Sequence, residues 1–301
     1  MEPPRHIYDP GSSKQWEDGM ILSPPFFGVL DGVSAPYSPS NPPKVFNRGA
    51  SGGELASRLI ERQFARLPHL FSVRRAVLEA NRALWRRQSK RGATPHGGEL
   101  AGASFAIAKI AGDWVEIVQG CDAFALGVTR DGRVEMTGAQ NKISETSLND
   151  KVVELMHEVA DERGLDLETV DDAARNEIRA EMFDRFYPTL VETRREYVNN
   201  PTLRDGYGLL NGQPELEMKW FNINLPRSEV RSLLFFTDGM VPWWGSLEGL
   251  TSEEIARQVY ATYRAAGLAG LLARARGIEE ATRATSYMDA AEATAIAIEF
   301  N

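Results

Sequence analysis

Two apolar segments of the chain each run into an Asp-Gly pair, and this repeated pattern constrains the fold more than any other feature. The first is FFGVLDGVS, residues 26–34, and the second is LLFFTDGMV, residues 233–241. Runs of this length and composition are typical of buried β-strands. Because a carboxylate at the edge of a core is costly unless its charge is compensated, Asp31 and Asp238 require a compensating group. A single Asp-Gly is more often a hairpin turn, as we expect for Asp131-Gly132.

Further acids lie at other predicted strand ends. They share a position beside a turn and apolar neighbours on at least one side: Glu17, Asp18, Asp122, Asp289 and Glu292. Several converging carboxylates would repel one another, and a hard divalent cation resolves this repulsion because Mg²⁺ and Mn²⁺ prefer oxygen ligands. A glycine after the acid lets backbone approach closely and lets a carbonyl oxygen join the ligands. The sequence therefore indicates a divalent-cation site at strand ends.

The composition narrows the class of protein. The chain has 301 residues, a net charge of -8 and one cysteine, Cys121. The acidic balance argues against nucleic acid as the main partner, since phosphate contacts need basic surface. One cysteine excludes an intramolecular disulfide and favours a reducing compartment. The sequence has neither a signal peptide's apolar core nor a run long enough for a membrane span, so we expect a cytoplasmic protein without a membrane partner.

The periodicity along the chain predicts the order of its elements. Residues 1–15 are expected to be loop and residues 102–138 a β-meander. Helices are expected after the first Asp-Gly, in the charged stretch 145–200, and after the second Asp-Gly, where Thr251 and Glu254 form a capping-box pattern. This partial segregation of strands and helices favours an α+β fold with helices packed outside an antiparallel core. We predict one domain over 1–301, with a helical insert at about 145–200.

The order of short motifs resembles that of a known family. WEDG, FFGVLDGVS, GASFAIA, GCDAFALG, LLFFTDGM and EATAIAI follow one another as in the metal-dependent serine/threonine protein phosphatases of the type 2C class. Each motif is short, and the specificity lies in their order and spacing over nearly the whole chain. The resemblance implies a β-sandwich of two antiparallel sheets flanked by helices, in α-β-β-α layers. It also implies a site for two Mn²⁺ or Mg²⁺ ions at one end of the sandwich.

The resemblance further implies roles for individual residues. Asp31 would bridge the two metal ions, and the carbonyl of Gly32 would bind one of them. Glu17 would hold the second ion, with Asp18 in support, and Asp238 would hold the first. A water molecule activated by the two ions would then hydrolyse phosphoserine or phosphothreonine on protein substrates of a serine/threonine kinase pathway.

Several positions depart from the family pattern or weaken it. Asp122 matches an acid that binds a further, weaker ion, but Pro242 replaces another acid that supports that third ion. Lys14 stands where the family has an arginine for the substrate phosphate, and lysine keeps the charge but loses the bidentate fork. Val33 stands where many members have a histidine proposed as general acid.

The last metal ligand departs as well, because no acid lies three residues before Thr294. We favour Asp289, which a bulge in SYMDAAEA would bring into place, over the alternative, Glu292. These departures leave two other functions open. One is a catalytically weak or inactive phosphatase-like module that binds or regulates, and the other is a hydrolase of small phosphoesters.

Overall fold

A computed structural model of the protein describes residues 2–12, 16–41, 49–95, 98–138, 142–241, 250–286 and 290–300. In this part of the chain, ten strands form two antiparallel five-stranded sheets. Sheet A has the order β1 (Arg5–Asp9), β10 (Ala293–Glu299), β9 (Val230–Phe236), β6 (Phe124–Thr129) and β7 (Val134–Thr137). Sheet B has the order β2 (Gly19–Ser23), β3 (Phe26–Val33), β4 (Gly102–Ala111), β5 (Trp114–Gly120) and β8 (Phe221–Pro226).

Alternation along the central strands sends side chains to two apolar layers. On β3, Phe27 and Val29 face sheet A and pack with Phe235 and Ile296 between the sheets. Their neighbour Phe26 faces the other way. Successive side chains of a strand point to opposite faces, so a strand that is apolar at nearly every position must be buried on both.

Helices cover the outer face of each sheet. Helices α1 (Gly52–Phe64) and α2 (Val73–Ser89) pack on sheet B, where Phe26 meets the ring of Phe64 edge-on. Helix α5 (Ser252–Ser286) packs on sheet A through Val259 and its apolar neighbours. The predicted α-β-β-α layering of an α+β sandwich is therefore confirmed.

The charged stretch forms the expected helices, α3 (Lys142–Glu162) and α4 (Asp172–Tyr197). They pack on each other through an apolar cluster of their own that includes Met156, Ile178 and Phe186. No helix in the described part of the chain combines the length and the apolarity that crossing a bilayer requires.

Side chains cap the first turns of two helices, and the second of these caps was predicted from the sequence. The hydroxyl of Ser51 accepts from the backbone N–H of Glu54 at the start of α1. Thr251 and Glu254 form the capping box before α5: the Thr251 N–H donates to Glu254 Oε2 at 2.7 Å, and the Glu254 N–H donates to Thr251 Oγ1 at 3.2 Å. Each cap satisfies N–H groups that the first helical turn leaves unpaired.

Two local predictions were wrong. Residues 1–15 are not all loop, because Arg5–Asp9 forms the edge strand β1 along β10. Residues 102–138 are not one meander, because β4 and β5 belong to sheet B whereas β6 and β7 belong to sheet A. Between these hairpins, Cys121 takes a left-handed φ of 60°, and the chain crosses from one sheet to the other. Alternation alone does not reveal which sheet a hairpin joins.

Candidate metal centre

Three carboxylates meet at one end of the sandwich. Asp31 lies on β3, Asp122 lies between β5 and β6, and Asp238 begins a short 3₁₀ helix, Asp238–Met240, after β9. Each offers an oxygen atom, and these atoms all lie within 4.8 Å of one another. All three side chains are partly buried, so the repulsion between them is poorly screened. A set of hard oxygen donors at this spacing fits Mg²⁺ or Mn²⁺.

Asp31 is held inside a strand, although the sequence places it at a strand end. β3 continues through Gly32 to Val33, and Asp31 pairs with Ser104 of β4. The hydroxyl of Ser104 donates to the Asp122 carboxylate. The β3–β4 ladder thus fixes the backbone of one acid and a hydrogen-bond donor to another, so both carboxylates are oriented by sheet B.

The glycine after each of the two acids is required by close backbone packing. A Cβ on Gly32 would lie 2.7 Å from the carbonyl oxygen of Gly53, and one on Gly239 would overlap the backbone carbonyl of Glu292. Neither glycine has a positive φ, so space rather than conformation makes the residue necessary here. Both Asp-Gly pairs are therefore sites where two backbones meet, and neither is the turn of a hairpin.

We expect Gly239→Ala to lower the free energy of unfolding by about 1–3 kcal/mol or more, the usual cost of overpacking a rigid site. The reason is that the new methyl group meets the backbone at Glu292, which has no rotamer to change. Gly277→Ala is the matched control, because a Cβ there meets no atom within 4 Å. Urea unfolding followed by circular dichroism measures both variants, and equal stability of the two would contradict this packing.

Glu17 reaches the same site from the segment before β2. Its Oε1 accepts from the hydroxyls of Ser34 and Ser51, and its backbone carbonyl accepts from Ser57 Oγ at 2.5 Å. Burial raises the pKa of Glu17, against the hydrogen bonds from the two serines, which lower it. Glu17 lines a cavity of about 300 Å³ together with Asp31 and Asp238.

Asp18 lies beside this cavity and faces the end of β9. Thr237 Oγ1 donates to Asp18 Oδ2 at 2.8 Å. Burial raises the pKa of Asp18 far above its usual range, and the charges of Glu292 and Asp238 raise it further. Burial and neighbouring negative charge both disfavour the ionised form of a carboxyl group, and a bound cation would reverse this effect.

Glu292 joins the last strand to the Glu17-Asp18 pair. Its Oε1 accepts from the Glu17 N–H at 3.0 Å, and its Oε2 accepts from the Asp18 N–H at 2.8 Å. The hydroxyl of Tyr8 on β1 lies 3.5 Å from Glu292 Oε2, and burial followed by the charge of Glu292 raises the pKa of Tyr8 to about 12. Glu292 also lines the cavity. Two other predicted site residues, Lys14 and Asp289, lie outside the described residues, as does Pro242.

Val33 makes apolar contacts at the position where many members of the family have a histidine. It packs against the cluster of Cys121, Val198 and Leu209. Val198 follows directly on α4, so the end of this helix covers the segment after Asp31-Gly32. Cys121 is buried in this cluster, where it packs as a small apolar residue.

The sequence interpretation missed the hydroxyl groups that hold the acids. Ser34, Ser51, Ser104 and Thr237 each donate to one of the candidate carboxylates. The signal was weak, because serine and threonine are common beside turns and caps. The one available signal was proximity to an Asp-Gly motif, which applies to Ser34 and Thr237.

Comparison with known proteins gives a match in structure but not in sequence. No family model and no curated protein sequence matches the chain. The serine/threonine phosphatase Stp1 from Staphylococcus aureus matches with a TM-score of 0.52 at 13% identity, over 100% of this chain and 96% of that one. The serine/threonine phosphatase PstP/Ppp of Mycobacterium tuberculosis matches with a TM-score of 0.51 at 16% identity, over 99% and 98% of the two chains.

A third similar structure is the serine-threonine phosphatase 2C from Toxoplasma gondii, with a TM-score of 0.53 at 15% identity, over 99% of this chain and 94% of that one. Identities this low establish the fold and leave activity to the site itself. The predicted resemblance is confirmed at that level: over its full length, the chain has the α+β fold of the serine/threonine phosphatases of the type 2C class.

Proposed function

We propose that the protein is a metal-dependent phosphatase that hydrolyses phosphoserine or phosphothreonine on protein substrates. The convergence of Asp31, Asp122 and Asp238 within 4.8 Å carries this proposal, because it occurs at one end of a sandwich with the type 2C fold. No nucleophilic side chain is needed for such hydrolysis, which agrees with the packed position of Cys121. The single cysteine supports a reducing, cytoplasmic location. The likeness to serine/threonine phosphatases supports substrates from a serine/threonine kinase pathway.

We infer that two Mn²⁺ or Mg²⁺ ions occupy the site, with a third held more weakly if at all. Asp31 would be the shared ligand, Glu17 and the Gly32 carbonyl would hold one ion, Asp238 would hold the other, and Asp122 would hold the weaker third. When bound, such ions supply positive charge for a phosphate group and lower the pKa of a bound water molecule. Of the two candidates for the last carboxylate, we propose Glu292, because it lines the cavity with the other acids.

The protein must also hold the carboxylate oxygens of these ligands in position before the metal ions and the substrate bind. Ser34 and Ser51 orient Glu17, Ser104 orients Asp122, and Thr237 orients Asp18. Hydrogen bonds to ligating carboxylates typically change metal affinity or activity by 10- to 100-fold when they are removed. The strand pairing behind each donor makes the site rigid, which favours the fixed geometry that phosphoryl transfer needs.

The test compares substrates in the presence of Mn²⁺ and after treatment with EDTA. The proposal expects metal-dependent release of phosphate from phosphothreonine and phosphoserine peptides. Turnover of p-nitrophenyl phosphate without turnover of either peptide would favour the small-phosphoester hydrolase. Metal binding without turnover of any substrate would favour the regulatory or binding module.

A further inference from the structure

The last turn of α4 brings an arginine of the helical insert to the candidate metal centre. Arg194 Nη1 donates to the backbone carbonyl oxygen of Ser34 at 2.5 Å, across 160 residues of sequence. Ser34 follows the Asp31-Gly32 segment by two residues, and its hydroxyl donates to the Glu17 carboxylate. Ser34 therefore links the Arg194 guanidinium to the Glu17 carboxylate of the candidate site.

The surroundings of Arg194 are acidic, yet it forms no ion pair with a carboxylate of the described residues. Burial lowers the pKa of Arg194, whereas the charges of Tyr207, Cys121, Glu17 and Asp122 raise it. The adjacent Arg195 is different, because it is exposed and pairs with Glu192 at 2.6 Å. A partly buried guanidinium without a paired anion is costly, so its position indicates an anion that arrives later.

Arg194 is also held on a rigid support. The backbone carbonyl of Arg194 accepts from the Val198 N–H at 3.1 Å, where α4 ends. The next residue, Asn199, is buried and donates from Nδ2 to the carbonyl oxygen of Leu209 at 2.8 Å and to Asn211 Oδ1 at 2.9 Å. These bonds fix the backbone from which the Arg194 side chain extends, and a group held on a rigid element loses less entropy when it binds a ligand.

We propose that Arg194 binds the phosphate group of the substrate. The bond from Nη1 to Ser34 orients the guanidinium plane, and the other N–H groups hold phosphate oxygens. A planar guanidinium binds phosphate through two parallel hydrogen bonds, which lysine does not. Lys14 stands where type 2C phosphatases have a phosphate-binding arginine, and it cannot form two parallel hydrogen bonds. Arg194 of the helical insert would supply that bidentate contact instead. This inference rests on the proposed function for the identity of the ligand as a phosphate ester.

Binding of inorganic phosphate to the Mn²⁺-loaded full-length protein, measured by calorimetry, tests the inference without any turnover. We expect Arg194→Gln to weaken phosphate binding at least 10-fold and Arg194→Lys to restore part of it, while the Kd for Mn²⁺ stays unchanged. Arg195→Gln is the matched control on the same helix turn and should bind phosphate like the wild type. If Arg194→Gln does not fold, Arg194→Lys carries the comparison, because it keeps the charge without the fork.

Three results would overturn the inference. They are wild-type phosphate affinity in Arg194→Gln, absence of phosphate binding by the wild type, and an equal loss of Mn²⁺ affinity in Arg194→Gln. The last would mean that Arg194 acts only by supporting Ser34 and Glu17. Turnover of a phosphothreonine peptide is a separate measurement, in which Arg194→Gln should raise KM more than it lowers kcat. A wild type that binds phosphate without turnover would contradict the proposed function and leave the role of Arg194 standing.

Discussion

Asp238→Asn should lower kcat/KM for a phosphothreonine peptide by at least about 100-fold in the presence of Mn²⁺, since losing an outer partner of a metal ligand already costs 10- to 100-fold. The amide keeps the size of the side chain and removes one negative charge from a cluster of three acids. The fold should survive, because Asp238 lies at the cavity and its neighbours Gly239 and Met240 fill the core. Steady-state phosphate release at several Mn²⁺ concentrations measures the effect.

The control for this variant is another Asp-Gly pair of the same chain. Asp131 precedes Gly132 in the hairpin between β6 and β7, where it is exposed and pairs with Arg133 at 3.0 Å. Asp131→Asn should therefore have wild-type kinetics. Equal activity of both variants would show that the acidic cluster takes no part in the reaction.

Removing the metal should destabilise the protein more at pH 8 than at pH 5. In the metal-free protein, burial raises the pKa of Asp18 from 3.8 to about 8, and burial also raises the pKa of Glu17. A carboxyl group with a raised pKa binds more protons in the folded state than in the unfolded state, so stability falls as pH rises through this window. A bound cation that replaces those protons restores the stability. At a cation concentration of 100 times Kd, the gain in the free energy of unfolding is about 2.7 kcal/mol.

Thermal unfolding with EDTA and with Mn²⁺ at the two pH values measures this difference. Asp18→Asn in the metal-free protein should raise Tm at pH 8 and flatten the dependence on pH, because it removes the most strongly shifted acid. Asp113→Asn is the control variant, because Asp113 is exposed at the turn between β4 and β5 of sheet B. Its Tm should depend on pH as that of the wild type does. A metal-free protein whose Tm rises from pH 5 to pH 8 would contradict the raised pKa values.

The fold was largely predictable because its strongest signals are local. An apolar strand that meets Asp-Gly, a capping box and a charged helical stretch can each be recognised from consecutive residues. Their order then leads to the type 2C fold, which the structure confirms. Asp31-Gly32 shows the limit of such signals, since an Asp-Gly pair usually marks a turn. Here the glycine instead admits the backbone of Gly53, which no pattern near residue 31 records.

The parts of the site that escaped prediction depend on contacts between distant segments. Ser51 contacts Glu17 across 34 residues, and Arg194 contacts Ser34 across 160. Such contacts leave no period in the sequence, because tertiary packing alone brings the partners together. The edge strand β1 was missed for the same reason, since β10 is its hydrogen-bonding partner and lies at the other end of the chain.

Titration of Mn²⁺ into the metal-free protein, followed by calorimetry, tests most directly whether the converging carboxylates form a metal centre. The wild type should bind Mn²⁺ saturably, and Asp31→Asn should lose that binding, because Asp31 is the acid shared by both proposed positions. A wild type that binds no Mn²⁺, or an Asp31→Asn variant that binds it as tightly as the wild type, would contradict this account.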